Sequence, residues 1–188
     1  TRKGVVAELE RHIRAGRIVA LIGGPPCETF SAVRWLPGGP PPLRDKLGPW
    51  GMPAVTVRQR PQLEVGNALL QATYTLLTAL LEVGGSGLVE HPARPRRCLR
   101  CAPSWDLPVP ALIAKSPAVD YVEFDQCTLG QVGRAPTGLL AVRLQHIREL
   151  IDGLPNCRRR DPGPGVPAAA RRLQPARRLQ SALAPAGH

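Results

Sequence analysis

The sequence predicts a three-layer α/β fold, a mostly parallel sheet with helices on both faces, followed by a disordered basic tail. Three observations predict it. Helix-like and strand-like patterns alternate along residues 1–156, as in βαβ proteins. The short apolar runs stop at glycine or at a polar residue, as strands covered on both faces do. Beyond Pro155 the composition turns to Pro, Gly, Ala and Arg, with RRLQ occurring twice, which cannot build a packed core. One domain over residues 1–156 and a tail over 157–188 follow.

The elements come in this order. VVAELERHIRA (5–15) places Val5, Leu9 and Ile13 on one helical face. RIVALIGG then holds five consecutive apolar residues, Ile18 to Ile22, ended by glycines, and reads as a strand. Residues 35–61 carry seven prolines with Gly38, Gly39, Gly48 and Gly51 and form a long loop, a feature that in compact domains is functional or disordered. The strongest helix is 63–83: Leu69, Leu76 and Val83 adjoin Leu70, Leu77 and Leu81, and Gly84-Gly85 stops it. GLVEHP (87–92) is a strand running into Glu90, 93–108 is irregular, and VPALIAKS (109–116) is a short helix. VDYVEFDQC (119–127) and GLLAVRL (138–144) are strands joined without a helix, which predicts an antiparallel pair. QHIRELIDGL (145–154) is the last helix. The strands near 18–22, 87–90 and 119–124 are expected side by side, with 138–143 antiparallel among them.

The net charge of +11 and a pI near 10.7 point to an anionic partner, nucleic acid first. Most of that charge belongs to the tail, where seven arginines face only Asp161. These arginines are expected to touch phosphates without sequence preference. Five cysteines, an odd number, with no visible signal peptide favour a reducing, intracellular setting, nuclear or cytoplasmic. The longest uncharged apolar stretch, Val65 to Leu81, contains Asn67, Gln71 and three threonines, so it reads as a buried helix and no membrane span is expected. The chain starts at Thr1, and a fragment of a longer protein is expected.

Ligands of open α/β sheets collect at the carboxyl ends of the strands. Cys27 follows the first strand, Glu90 ends the second, and Asp125-Gln126-Cys127 ends the third. Three strands thus bring polar or reactive side chains to one edge. A nucleophilic cysteine works as its thiolate, and a helical turn starting near Thr29, with Arg34 close by, would favour that form. Pro25 and Pro26 stiffen the approach. Cys127 is expected to be packed rather than reactive. Cys98 and Cys101 (CLRC) make half a zinc site whose other ligands would have to be His91, Cys127 or Cys157, and no metal is expected. A thiol hydrolase is a weaker reading, because His12, His91, His146 and His188 are scattered.

GGPPCETFS resembles the Pro-Cys nucleophile motif of cytosine-5 DNA methyltransferases, and VEHP resembles their Glu-Asn-Val segment one strand later. DQCTLGQVGRAPTGLL is similar to a segment of divergent phage-type members in which Lys-Pro-Thr is usual; here Arg134-Ala135 precede Pro136. The resemblance covers residues 17–143. It implies the second half of a Rossmann-like methyltransferase sheet, a DNA partner and S-adenosylmethionine as cofactor. It further implies that Cys27 attacks carbon 6 of a flipped cytosine while Glu90 binds the base edge. Pro26, Ser31, Arg34, His91, Gln126, Arg134 and Thr137 become candidate substrate-binding residues. His91 stands where the family has asparagine, a Gln-x-Arg-x-Arg segment is not visible, and the glycine-rich cofactor loop has no counterpart before residue 17. Two readings stay open: a methyltransferase-like enzyme, fragmentary or degenerate, and a non-catalytic nucleic-acid-binding remnant of the fold.

Overall fold

The computed structural model describes residues 2–131 and 135–154; Arg134, Cys157 and the basic tail lie outside them. Helix α1 (Arg2–Arg14) leads into strand β1 (Ala20–Gly23), and a 3-10 turn over Ala32–Trp35 opens the long loop. Helix α2 (Arg60–Glu82) and strand β2 (Ser86–Pro92) follow, then helix α3 (Pro108–Ile113), strand β3 (Val119–Asp125), strand β4 (Pro136–Val142) and helix α4 (Ile147–Asp152).

The four strands form one sheet in the order β1-β2-β4-β3. β1 and β2 are parallel, with Ala20 opposite Ser86 and Gly23 opposite Val89. β4 runs against both of its neighbours, pairing Glu90 with Leu139 on one side and Val122 with Leu139 on the other. The expected insertion of this strand, antiparallel among the other three, is present. The sheet is therefore mixed, not mostly parallel. Because β4 reverses, β1, β2 and β3 share one direction and their carboxyl ends lie at one end of the sheet.

The core lies on one face. There α2 sets Leu70, Tyr74 and Leu77 against Val89, Leu140 and Val142, and Trp105, Leu107 and Ile113 close the far side. Contact is close enough that a Cβ on Gly23 would stand 3.0 Å from the Thr73 methyl. Pro61 at the start of α2 gives up an N–H that has no helical partner in any case. Gly84 ends the helix at φ +82°, a conformation glycine adopts without strain. α1 packs through Ile13, with Val6 alongside, onto Leu76, Ala79 and Leu80 of α2. The expected line of Val5, Leu9 and Ile13 is thus turned by one position, since Val5 is exposed and Val6 is packed.

The opposite face departs from the expected third layer. α4 lies against β3, held by Arg148 to the Asp120 carboxylate at 3.1 Å and to the Tyr121 carbonyl at 3.3 Å. Over β1 nothing among the described residues covers the sheet: Ile22 is 87% exposed. No helix is long and apolar enough to cross a membrane among the described residues.

Candidate functional site

Strand alternation decides which side chains reach which face. Glu90 and His91 are neighbours on β2, so they point to opposite sides of the sheet. Glu90 stands on the open side with Ile22 and Gly24; a Cβ on Gly24 would lie 3.7 Å from the Glu90 Oε2. The Gly24-Pro25-Pro26 segment therefore passes directly beside this carboxylate on its way to Cys27. Residues 27–30 form a turn closed by the Phe30 N–H donating to the Cys27 carbonyl at 2.9 Å. Cys27 is half-buried and is the free cysteine among the described residues.

The electrostatics run against the expected easy thiolate. Burial pushes the Cys27 thiol up, and the Glu90 and Glu28 carboxylates push it further in the same direction. Burial also raises the Glu90 carboxyl. Glu90 is near enough to oppose ionisation of Cys27, while its own shift comes from burial. Glu90→Gln removes one of these negative charges. Alkylation of Cys27 by iodoacetamide at pH 7.5 should then speed up, because losing that charge raises the thiolate fraction. An unchanged rate would show that the two groups do not sense each other.

Arg34 does not act on Cys27. Its guanidinium donates to the Glu28 carbonyl at 2.6 Å, the Pro41 carbonyl at 2.8 Å and Gln62 Oε1 at 3.0 Å, which holds the start of the long loop against α2. The backbone of a proline-rich loop lacks partners of its own, and a buried arginine supplies them. Arg44 has the same role deeper in. It donates to Thr29 Oγ1 at 2.9 Å, the Pro49 carbonyl at 2.9 Å and Asn67 Oδ1 at 2.6 Å. Its guanidinium also lies 3.9 Å from the centre of the Phe30 ring. Burial first, then Arg34, lowers the Arg44 pKa to about 10. The sequence reading missed Arg44; its only signal was a lone arginine among prolines, glycines and one tryptophan.

His91, expected at the substrate, is fully buried on the core side of the sheet. Its Nδ1 is 2.6 Å from the Ser104 hydroxyl, and its ring meets Phe30 and Trp105 edge-on. Nε2 has no partner of good hydrogen-bond geometry, although the Pro26 carbonyl lies near enough to favour a proton there. Burial, reinforced by Arg44, lowers the His91 pKa to about 4. The ring is neutral at pH 7 and supports the Pro26-Cys27 turn from beneath.

The other candidates divide likewise. Pro26 is partly buried beside Cys27, and Ser31 caps the 3-10 turn by accepting from the Val33 N–H at 3.3 Å. Gln126 follows β3, where its N–H donates to the Ala135 carbonyl at 3.1 Å. Thr137 is buried, opposite Pro92 and Phe124 in the sheet, with its hydroxyl donating to the Ala135 carbonyl at 3.1 Å. Cys127 is disulfide-bonded, so it offers no thiolate. Cys98 and Cys101 are joined to each other, which takes both sulfurs from the half zinc site considered above. The structure thus brings Cys27, Glu90 and Pro26 together, places Gln126 and Thr137 at the same end of the sheet, and uses Arg34 and His91 as supports.

S-adenosylmethionine does not fit the described residues. The strand leading to Cys27, Ala20–Gly23, is wholly apolar, and Pro25 and Pro26 have no N–H to offer a carboxylate. A cleft of about 330 Å³ does exist between residues 50–55 and the first turns of α2, but it contains none of the candidate residues. No family model, curated protein or solved structure matches the chain.

Proposed function

We propose that this chain carries the nucleophile and base-edge part of a DNA cytosine-5-methyltransferase-like site, on a Rossmann-like sheet of that class. The observation that carries the reading is the pairing of a free, half-buried Cys27 with a Glu90 carboxyl of raised pKa on the open side of the sheet. A buried glutamate whose pKa is raised takes up a proton more readily and can share it with ring nitrogen 3 of an extruded cytosine. Passing that proton to the base relieves the ring of the charge that addition creates. The Cys27 thiolate forms a bond to carbon 6, and the displaced electron pair enriches carbon 5. Without a methyl group to accept, carbon 5 takes a proton from solvent, and loss of a carbon 5 hydrogen expels Cys27 again.

That cycle exchanges the carbon 5 hydrogen with solvent and needs no cofactor. In deuterated buffer with duplex DNA, mass spectrometry should find deuterium at cytosine carbon 5 with the wild-type protein and background levels with Cys27→Ser. Exchange that persists in Cys27→Ser, or none with wild-type protein bound to the DNA, overturns the proposal. S-adenosylmethionine remains the methyl donor the resemblance implies. Because the described residues do not fit it, calorimetric titration of residues 1–188 should show no micromolar binding, and such binding would refute this point.

A second reading, a non-catalytic nucleic-acid-binding remnant, is favoured by the upward shift of the Cys27 thiol, which keeps the sulfur protonated at neutral pH. It is the outcome when DNA binds without exchange.

A further inference from the structure

The Cys98–Cys101 disulfide closes a turn of only two intervening residues. Its two sulfurs are unequally placed. Cys98 is partly exposed, whereas Cys101 is only 1% exposed, and between them Leu99 is 83% exposed. The Cys101 N–H donates to the Cys98 Sγ at 3.1 Å. An amide donor favours the thiolate of the outer sulfur once the bond opens.

The same turn grips the long loop. The Arg100 carbonyl accepts from the Lys46 N–H at 3.1 Å. The Arg100 guanidinium stands 4.7 Å from the centre of the Trp35 ring and 4.0 Å from the Asp45 carboxylate. Asp45 and Lys46 adjoin Arg44, whose guanidinium holds Thr29 in the Cys27 turn. A change in the CLRC turn is therefore passed to the loop that supports Cys27.

We propose that Cys98 and Cys101 form a redox-active pair that exchanges with a dithiol, and that its oxidation state sets how tightly residues 35–59 are held. A thiolate of the dithiol attacks the Cys98 Sγ, and the Cys98–Cys101 bond breaks with Cys101 leaving as a thiolate that takes a proton. The second thiol of the donor then attacks its own sulfur in the mixed disulfide. This frees Cys98 and leaves the donor as a disulfide. Two electrons and two protons pass from donor to protein. Attack at Cys98 follows from its exposure, since the Cys101 sulfur is beneath the surface.

The test uses the full chain equilibrated, without denaturant, in mixtures of reduced and oxidised dithiothreitol. Acid quenching and differential alkylation then read the peptide holding Cys98 and Cys101 by mass spectrometry. The pair should reduce and reoxidise reversibly. With oxidised glutathione, Cys101→Ser should be captured at Cys98 about tenfold faster, or more, than Cys98→Ser is captured at Cys101. Trypsin should cut after Arg44 and Lys46 severalfold faster in the reduced protein. The double variant Cys98→Ser/Cys101→Ser should show no such response to dithiothreitol, which separates this pair from the disulfide of Cys127. A bond that opens only on unfolding, or equal capture at the two sulfurs, overturns the redox role. Cutting that ignores the state of the pair overturns the link to the loop.

Discussion

Arg44→Ala lowers stability by about 3 kcal/mol, the sum of lost packing and of buried acceptors left without a donor. Three such acceptors depend on this guanidinium: Thr29 Oγ1, the Pro49 carbonyl and Asn67 Oδ1. The Phe30 ring also loses the flat group stacked on it. Urea denaturation of wild type, Arg44→Ala, Arg44→Met and Arg44→Lys separates the contributions. Methionine should recover part of the loss by refilling the space over Phe30. Lysine should recover little, because one ammonium cannot reach three acceptors arranged for a planar fork. A loss below about 1 kcal/mol for alanine would mean that the loop is held by other contacts.

His91 makes the fold acid-sensitive. Its pKa is about 4 in the folded chain and 6.5 in the unfolded chain, so the unfolded state binds the proton more readily. Its contribution is fully present above pH 6.5, is lost as pH falls from there towards 4, and changes no further below that. The total is about 3 kcal/mol, since each tenfold difference in proton affinity between the two states is worth about 1.4 kcal/mol. Stability measured from pH 7.5 to 4 should fall with this slope in wild type and noticeably less in His91→Gln, whatever the starting stability of the variant. Equal slopes would show that His91 can charge where it sits.

Much of the fold was legible because it rests on periodicity. The apolar run Ile18 to Ile22, the leucine lines of α2 and the glycines after it needed no tertiary information, and the helix-free link between β3 and β4 predicted their antiparallel pairing. The insertion of β4, antiparallel among the other three strands, was expected too; what the pattern did not show is that this insertion leaves β1–β2 as the parallel pairing and makes the sheet mixed. At the site, the meeting of Cys27 and Glu90 could be read because Cys27 follows β1 and Glu90 lies near the carboxyl end of its parallel neighbour β2. The placing of His91 is legible as well: a residue next to Glu90 on a strand must face the other way. The use of Arg34 and Arg44 could not be read, because it depends on which loop carbonyls are left without partners after folding. The CLRC bond was equally hidden, as spacing alone fits a metal or a disulfide.

The order β1-β2-β4-β3 also dictates how the chain can assemble. The β3–β4 pairing is nearly local, closing between Asp125 and Pro136, while even the nearest β2–β4 pair must bring Pro92 to Thr137. The β1–β2 pairing joins Ala20 to Ser86 across the entire proline-rich loop and α2. Loop closure costs more as the separation grows, and non-local pairing slows folding. The hairpin of β3 and β4 is thus the natural nucleus, and β1, carrying the turn with Cys27, docks last and is the first to open. The segment with the proposed chemistry is kinetically the most loosely attached strand, so hydrogen exchange should reach the amides of Ala20–Gly23 well before those of Leu139–Val142.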